Sequence, residues 1–134
     1  MAEPDPDDRA ARSLLSSATA TVLVEVLAHE GDIDAAWDAA TDHGCDDRMW
    51  LTLARAREST NPLDAIGVYE REVLAQIDRK RNDAYRTAVD LMARIQRLAD
   101  SAGRPERFEA LLTRVRTEHK AKRNLKALLD QKPW

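Results

Sequence analysis

Apolar residues recur along this chain at intervals of three and four and never alternate for long with polar ones, so the pattern predicts helices that each bury one stripe. Six segments follow from it. The first, Arg9 to Glu30, carries Leu14, Leu15, Ala18, Val22, Val26 and Ala28 beside Leu23 and Leu27. Its second half, TATVLVEVLAHE, is apolar on most faces, as in a helix that is central or lies at an interface. Gly31 and Asp32 break and recap the chain for a helix over Ile33 to His43, with Ala36, Trp37 and Ala40 on one face. Asp46 and Asp47 open a third helix through Glu58 on Met49, Trp50, Leu53 and Ala54. Asn61 is expected to cap a fourth, which has Pro62 at its first position and runs to about Lys80 on Ala65, Ile66, Tyr69, Val73, Leu74 and Ile77. Asn82 reopens a fifth through Ala102 on Tyr85, Ala88, Val89, Met92, Ile95 and Leu98.

The last segment has the strongest local character. Gly103 and Pro105 mark a stop and a start, Glu106 and Glu109 complement the helix dipole, and Phe108, Leu111, Leu112 and Val115 form a stripe. From Thr117 to Arg123 almost every position is polar or charged, and the stripe resumes at Leu125, Leu128 and Leu129. One long helix over about 105–130 is therefore expected to leave its parent domain midway. Leu125, Leu128 and Leu129 would then need another surface, either an earlier helix or a second copy through which the chain self-associates.

These segments, joined by short turns, predict an all-α fold of antiparallel helical hairpins: a TPR-like α-α superhelix of about six helices with a long C-terminal helix. GDIDAAWDAA, NPLDAIGVYE and NDAYRTAVDL rhyme weakly, each placing a turn residue before a helix that opens with alanine and an aromatic. Residues 1–8, MAEPDPDD, lack anything apolar enough to anchor them and are expected to be a disordered acidic leader. Residues 9–134 would form a single helical-repeat domain.

Composition adds an asymmetry. The net charge of −3 over 134 residues conceals 5 Arg or Lys against 14 Asp or Glu from Met1 to Asp64, and 16 against 10 from Ala65 to Trp134. Opposite halves of this kind attract each other within a fold or across a dimer, and the basic half is also a candidate for nucleic acid. A lone Cys45 excludes an internal disulfide, and neither a signal peptide nor a membrane-spanning run is evident, so the expected location is cytoplasmic, away from membranes.

Candidate chemistry is sparse. His43, Cys45 and Asp46 are ligand types, but they straddle a helix stop and no fourth partner is near in sequence, so a small packed thiol is the plainer reading and no metal or cofactor is expected. Trp37, Trp50, Tyr69, Tyr85 and Phe108 fall on inner faces and read as core rather than as a base-stacking platform. No nucleophile, base and oxyanion set is arranged as catalysis requires, so no enzyme is expected. The cations Arg114, Arg116, Lys120, Lys122, Arg123 and Lys126, with His119 among them, form the one dense patch for a partner or nucleic acid. On a continuous helix Arg116, Lys120 and Arg123 share one face, and Lys122 and Lys126 another.

Three stretches, GDIDAAWDAATDHGCDDRMWLTLARARE, NPLDAIGVYEREVLAQIDRKRNDAYRTAVDLMARI and GRPERFEALLTRVRTEHKAKRNLKALLD, resemble the C-terminal helical region of bacterial SWIM zinc-finger proteins. The most specific piece is Glu118 to Leu125, EHKAKRNL, similar to a basic signature near the end of those proteins. The resemblance implies a cytoplasmic protein-binding or nucleic-acid-binding role without catalysis. The zinc motif of that family, CxC followed by CxH, is absent from this chain, so no ligand carries over. The combined expectation is a non-enzymatic, homodimeric helical-repeat interaction module, with nucleic-acid binding by the basic helix as the alternative.

Overall fold

A computed structural model describes residues 17–134 as seven helices, with no strand among the described residues. The all-α class and the hairpin construction are those expected. The leader expected over residues 1–8 and the expected start of the first helix from residue 9, with Leu14 and Leu15, lie outside the described residues. Where one domain was expected over 9–134, the chain divides at Ala56 and Arg57 into two compact units.

The N-terminal unit contains α1 (Ser17–His29), α2 (Ile33–His43) and most of α3 (Asp47–Arg57). A three-residue turn joins α1 to α2, and the two pack along each other, so they run antiparallel. Asp32 starts α2 by accepting the Ala35 N–H at 3.2 Å, and Gly44 ends it in a left-handed conformation (φ 78°) that an L side chain resists. Ala36 and Ala40 let α2 approach closely, and Val24, Met49 and Leu53 close the core around them. Trp37 and Trp50 meet edge to face at 5.4 Å over its flank. The start of α3 is fixed twice: Asp46 accepts the Met49 N–H at 2.8 Å, and its own N–H donates to Thr21 Oγ1 on α1 at 2.9 Å.

The inward face of α1 differs from the expected stripe. Ala20, Thr21 and Val24 are buried, whereas Val22 is 58%, Leu23 41% and Val26 49% exposed. Its sequence is apolar nearly all round, so periodicity did not select a side; contact with the small residues of α2 did.

The C-terminal unit, Arg57 to Trp134, is organised on α5 (Asn82–Ser101), which packs against α4 (Pro62–Asp78), α6 (Pro105–Glu118) and α7 (Arg123–Asp130). Inward residues of α5 recur at three and four, from Tyr85 through Ala88, Val89, Met92 and Ile95 to Ala99, which gives one helix enough apolar surface for three neighbours. Asn61 precedes Pro62 as expected, yet its side chain makes no capping bond and donates to Thr60 Oγ1 instead. The rhyming stretches are not equivalent in space: GDIDAAWDAA and NDAYRTAVDL open the second helix of a hairpin, NPLDAIGVYE the first.

The C-terminus departs most from expectation. The single helix over about 105–130 is two: α6 ends at Glu118, His119 to Ala121 turn, and α7 begins at Arg123 with the Lys122 N–H on the His119 carbonyl at 3.0 Å. The polar belt is the reason, because Thr117 to Arg123 offers no core position; a turn there lets the leucines that follow return to α5. Leu125 and Leu129 are 1% and 2% exposed, Leu128 is half-buried, and Asn124 donates to Asn82 Oδ1 across to α5 at 2.8 Å. The self-association expected of these leucines thus loses its surface, since the chain covers them itself. Trp134 completes the fold, stacking edgewise on Phe108 at 5.0 Å and donating from Nε1 to Gln96 Oε1 at 2.9 Å.

Inside this unit Glu58 gathers a polar network. Its carboxylate accepts two bonds from the Arg94 guanidinium, one of them at 2.8 Å from Nη2, and one from the Tyr69 hydroxyl at 2.8 Å, while Arg94 lies 5.9 Å from the Tyr69 ring centre. Burial, then the bond to Glu58, pushes the Tyr69 pKa up to about 12, and the bonds to Glu58 hold Arg94 charged more firmly than usual. An unfolded chain releases the tyrosine proton near pH 10. Tyr69 therefore contributes its full stability below pH 10 and loses it as pH rises toward 12, by about 1.4 kcal/mol per pH unit within that window. Denaturant unfolding of the protein and of Tyr69→Phe should show their stability difference shrinking from pH 9.5 to 12. A difference constant over that range would show that the hydroxyl is not held this way.

Candidate functional site

Two surfaces carry features that the fold does not consume. The first is the outer face of α1. At 100° per residue Val22, Leu23, Glu25, Val26, His29 and Glu30 lie within an arc of about 160°. All six are exposed, and the Glu30 N–H on the Val26 carbonyl at 3.0 Å extends the turn past the helix end. Two valines one turn apart form the centre, with Glu25 on one flank and Leu23 and Glu30 on the other. Beside this face a shallow hollow of about 630 Å³ is lined by Glu25, Val26, Ala28, His29, Met49 and Thr52 among others. The surroundings are acidic: residues 17–56 hold eight Asp or Glu against two Arg.

The second surface is a cleft of about 210 Å³ at the break between α6 and α7, lined by Val115, Arg116, His119, Lys120, Lys126 and Leu129. Val115 and Leu129 lie buried beneath it; Lys120 and Lys126 are exposed at the rim. The break creates it. Ending α6 at Glu118 redirects the chain so that Lys126, on α7, comes to the same opening as Arg116, on the last turn of α6. The faces expected for a continuous helix are accordingly not kept.

The remaining predicted cations are placed differently. Arg114 is held by Glu118 at 3.2 Å and borders a separate hollow with Glu70, Leu74, Arg107, Ala110 and Leu111. Arg116 bonds Asp130 at 3.0 Å, which tethers α6 to α7 and partly offsets its charge. Lys122 sits at the N-cap position of α7, half-buried, and Arg123 is the exposed first residue of that helix. Among the described residues no ion pair engages Lys120 or Lys126.

This arrangement suits a carboxylate beside an aliphatic group better than a nucleic-acid backbone. A phosphate track needs successive unneutralised cations, and two of the six expected ones carry a carboxylate partner. Bases stack on exposed aromatic rings, and the cleft is lined by no Phe, Tyr or Trp, only by the half-buried His119 imidazole. Cys45 is half-buried against the core of its unit, and among the described residues no group of three or more His, Cys, Asp or Glu could hold a metal ion. No helix of the described residues is long and apolar enough to cross a membrane. What sequence reasoning missed is the cleft itself and which residues of α1 face outward: an interface on that helix was one of two expectations, but its residues follow only from which side of α1 faces α2, and the cleft only from the break. Compared with models of known protein families, with curated proteins and with solved structures, the chain matches none.

Proposed function

We propose that this chain is a non-enzymatic, cytoplasmic helical interaction module that associates with copies of itself, and that α1 supplies one docking face. The observation that carries this reading is the row of three large aliphatic side chains, Val22, Leu23 and Val26, at the surface of a helix whose opposite side is already packed. A face of this kind, apolar in the middle and charged at the margins, is built like the core and rim of a protein interface. The opposite charge of the two units favours a second copy as the occupant, because residues 17–56 carry an excess of acid and residues 57–134 hold 17 Arg or Lys against 12 Asp or Glu. The resemblance to the helical tail of SWIM zinc-finger proteins, where it implies protein binding, is in keeping with such a role.

Molar mass by light scattering tests the reading. The protein is expected to exceed 15.1 kDa in a concentration-dependent way, and Val22→Asp with Val26→Asp to return it to the monomer. Both valines are exposed, so the double variant should keep its helical circular dichroism and melting temperature. A monomeric wild type at high concentration, or a variant of unchanged mass, removes the proposal; a mass gained only with a nucleic-acid duplex at low salt would put the nucleic-acid reading in its place.

A further inference from the structure

We infer that the cleft at the α6–α7 break is the receptor for α1 of a second copy. This inference rests on the α1 reading above and names the surface that receives it. The two faces match in chemistry. On α1 the centre is aliphatic, Val22 and Val26, and the flanks are Glu25 and Glu30. At the cleft the alkyl stems of the rim residues Arg116, Lys120 and Lys126, with His119, stand over the buried Val115 and Leu129, and the charges lie at the margin.

Size selects what enters. A cleft of about 210 Å³ admits a side chain or two and not a helix, so a valine of α1 points in while the helix lies across the mouth. The flanking carboxylates then fall toward the rim cations. Lys120 and Lys126 are the cations of choice, because Arg116 already bonds Asp130 whereas no ion pair among the described residues occupies these two.

Each copy carries one donor face and one receptor cleft, so two copies that exchange α1 reciprocally close a two-fold dimer, and copies that do not exchange link onward. Mass is then expected to climb with concentration, and the charged rim makes the affinity fall as salt rises.

Charge exchange tests the pairing and separates it from the α1 reading. In one variant Glu25→Lys and Glu30→Lys make the donor basic; in the other Lys120→Glu and Lys126→Glu make the receptor acidic. All four residues are exposed, so both variants are expected to fold as the wild type does. Each alone sets like charges against each other and should lose roughly tenfold or more in self-affinity. Mixed in equal amounts, both kinds of contact are again between opposite charges, and the mass measured by sedimentation or light scattering should return. If Val22→Asp with Val26→Asp dissociates the protein while the receptor variant retains its full mass, α1 docks elsewhere and the cleft inference is overturned with the α1 reading intact. Two weakened variants whose mixture stays monomeric would overturn it equally. Loss of duplex binding by the receptor variant, with self-association untouched, would assign the cleft to nucleic acid instead.

Discussion

Glu58→Ala is expected to destabilise the C-terminal unit by about 3 kcal/mol, measured by denaturant unfolding near neutral pH. Glu58 accepts from both the Arg94 guanidinium and the Tyr69 hydroxyl, so removing it strands two donors at once. They do not suffer equally. The Tyr69 hydroxyl is part of a residue only 1% exposed and finds no water easily; the half-exposed guanidinium turns outward and recovers much of its solvation. The loss therefore lies at the lower end of what breaking a buried pair costs, and above that of a surface pair, which is about 0–1 kcal/mol. Glu58→Gln keeps an acceptor and should lose roughly half as much, about 1.5 kcal/mol. Pairing Glu58→Ala with Arg94→Ala in a double-mutant cycle should return a coupling of at least about 1 kcal/mol. A loss under 1 kcal/mol for the alanine variant would mean that the network is ornamental to folding.

The network also illustrates what periodicity discloses and what it does not. The apolar stripes of α4 and α5 were legible because Ala65, Ile66, Tyr69, Val73 and Ile77 on one, and Tyr85, Ala88, Val89, Met92 and Ile95 on the other, repeat at helical intervals and are buried where the repeat places them. Glu58 and Arg94 are 36 positions apart, and no local rule joins a carboxylate in a turn to a guanidinium on a distant helix. The orientation of α1 was hidden for the opposite reason. Too many of its faces are apolar for its own sequence to choose one, so the partner helix decides, and the unchosen residues become a candidate surface. At the C-terminus the difficulty was a turn without turn residues: Glu118 to Lys122 contains neither glycine nor proline. The belt of charge was visible, but both a helix projecting into solvent and a helix folding back satisfy it.

The candidate site inherits that ambiguity directly. Six cations and a histidine could be named from sequence as a patch, yet which of them act together depends on the break. With α6 and α7 as separate helices, Arg116, His119, Lys120 and Lys126 share a cleft, while Arg114 turns to Glu118. A ligand for this region must accordingly be judged by the shape of the break as much as by the charge around it, and the break is held from beneath by the buried Val115 and Leu129, residues that a sequence reading assigns to core or to a dimer seam.

Leu125→Ala separates folding back from self-association most sharply. An isolated helix of eight residues has no stability of its own in water, so α7 persists only while it is docked. Within the helix its anchors are Leu125 and Leu129 in the core, the Asn124 to Asn82 hydrogen bond and the Arg116 to Asp130 ion pair, the latter two exposed and contributing little; beyond it Trp134 holds the chain on Phe108 and Gln96. Truncating a leucine that is 1% exposed removes about 3 kcal/mol of packing, which is comparable with everything that holds so short a helix in place. The expected response is local rather than global. Amides of residues 123–130 should exchange with solvent at nearly the rate of an unstructured peptide, while those of α4 and α5, whose contacts with each other do not involve α7, remain protected. Molar mass should not fall through the loss of a leucine seam, because Leu125 faces α5 of its own chain. Association through the cleft should weaken, since Leu129 and Lys126 move away with α7. The two effects are separable at high salt, where only the exchange result persists. If Leu125→Ala instead left α7 protected and converted an otherwise salt-resistant dimer to monomer, the leucines would be an interface after all, and the folded-back helix would be wrong.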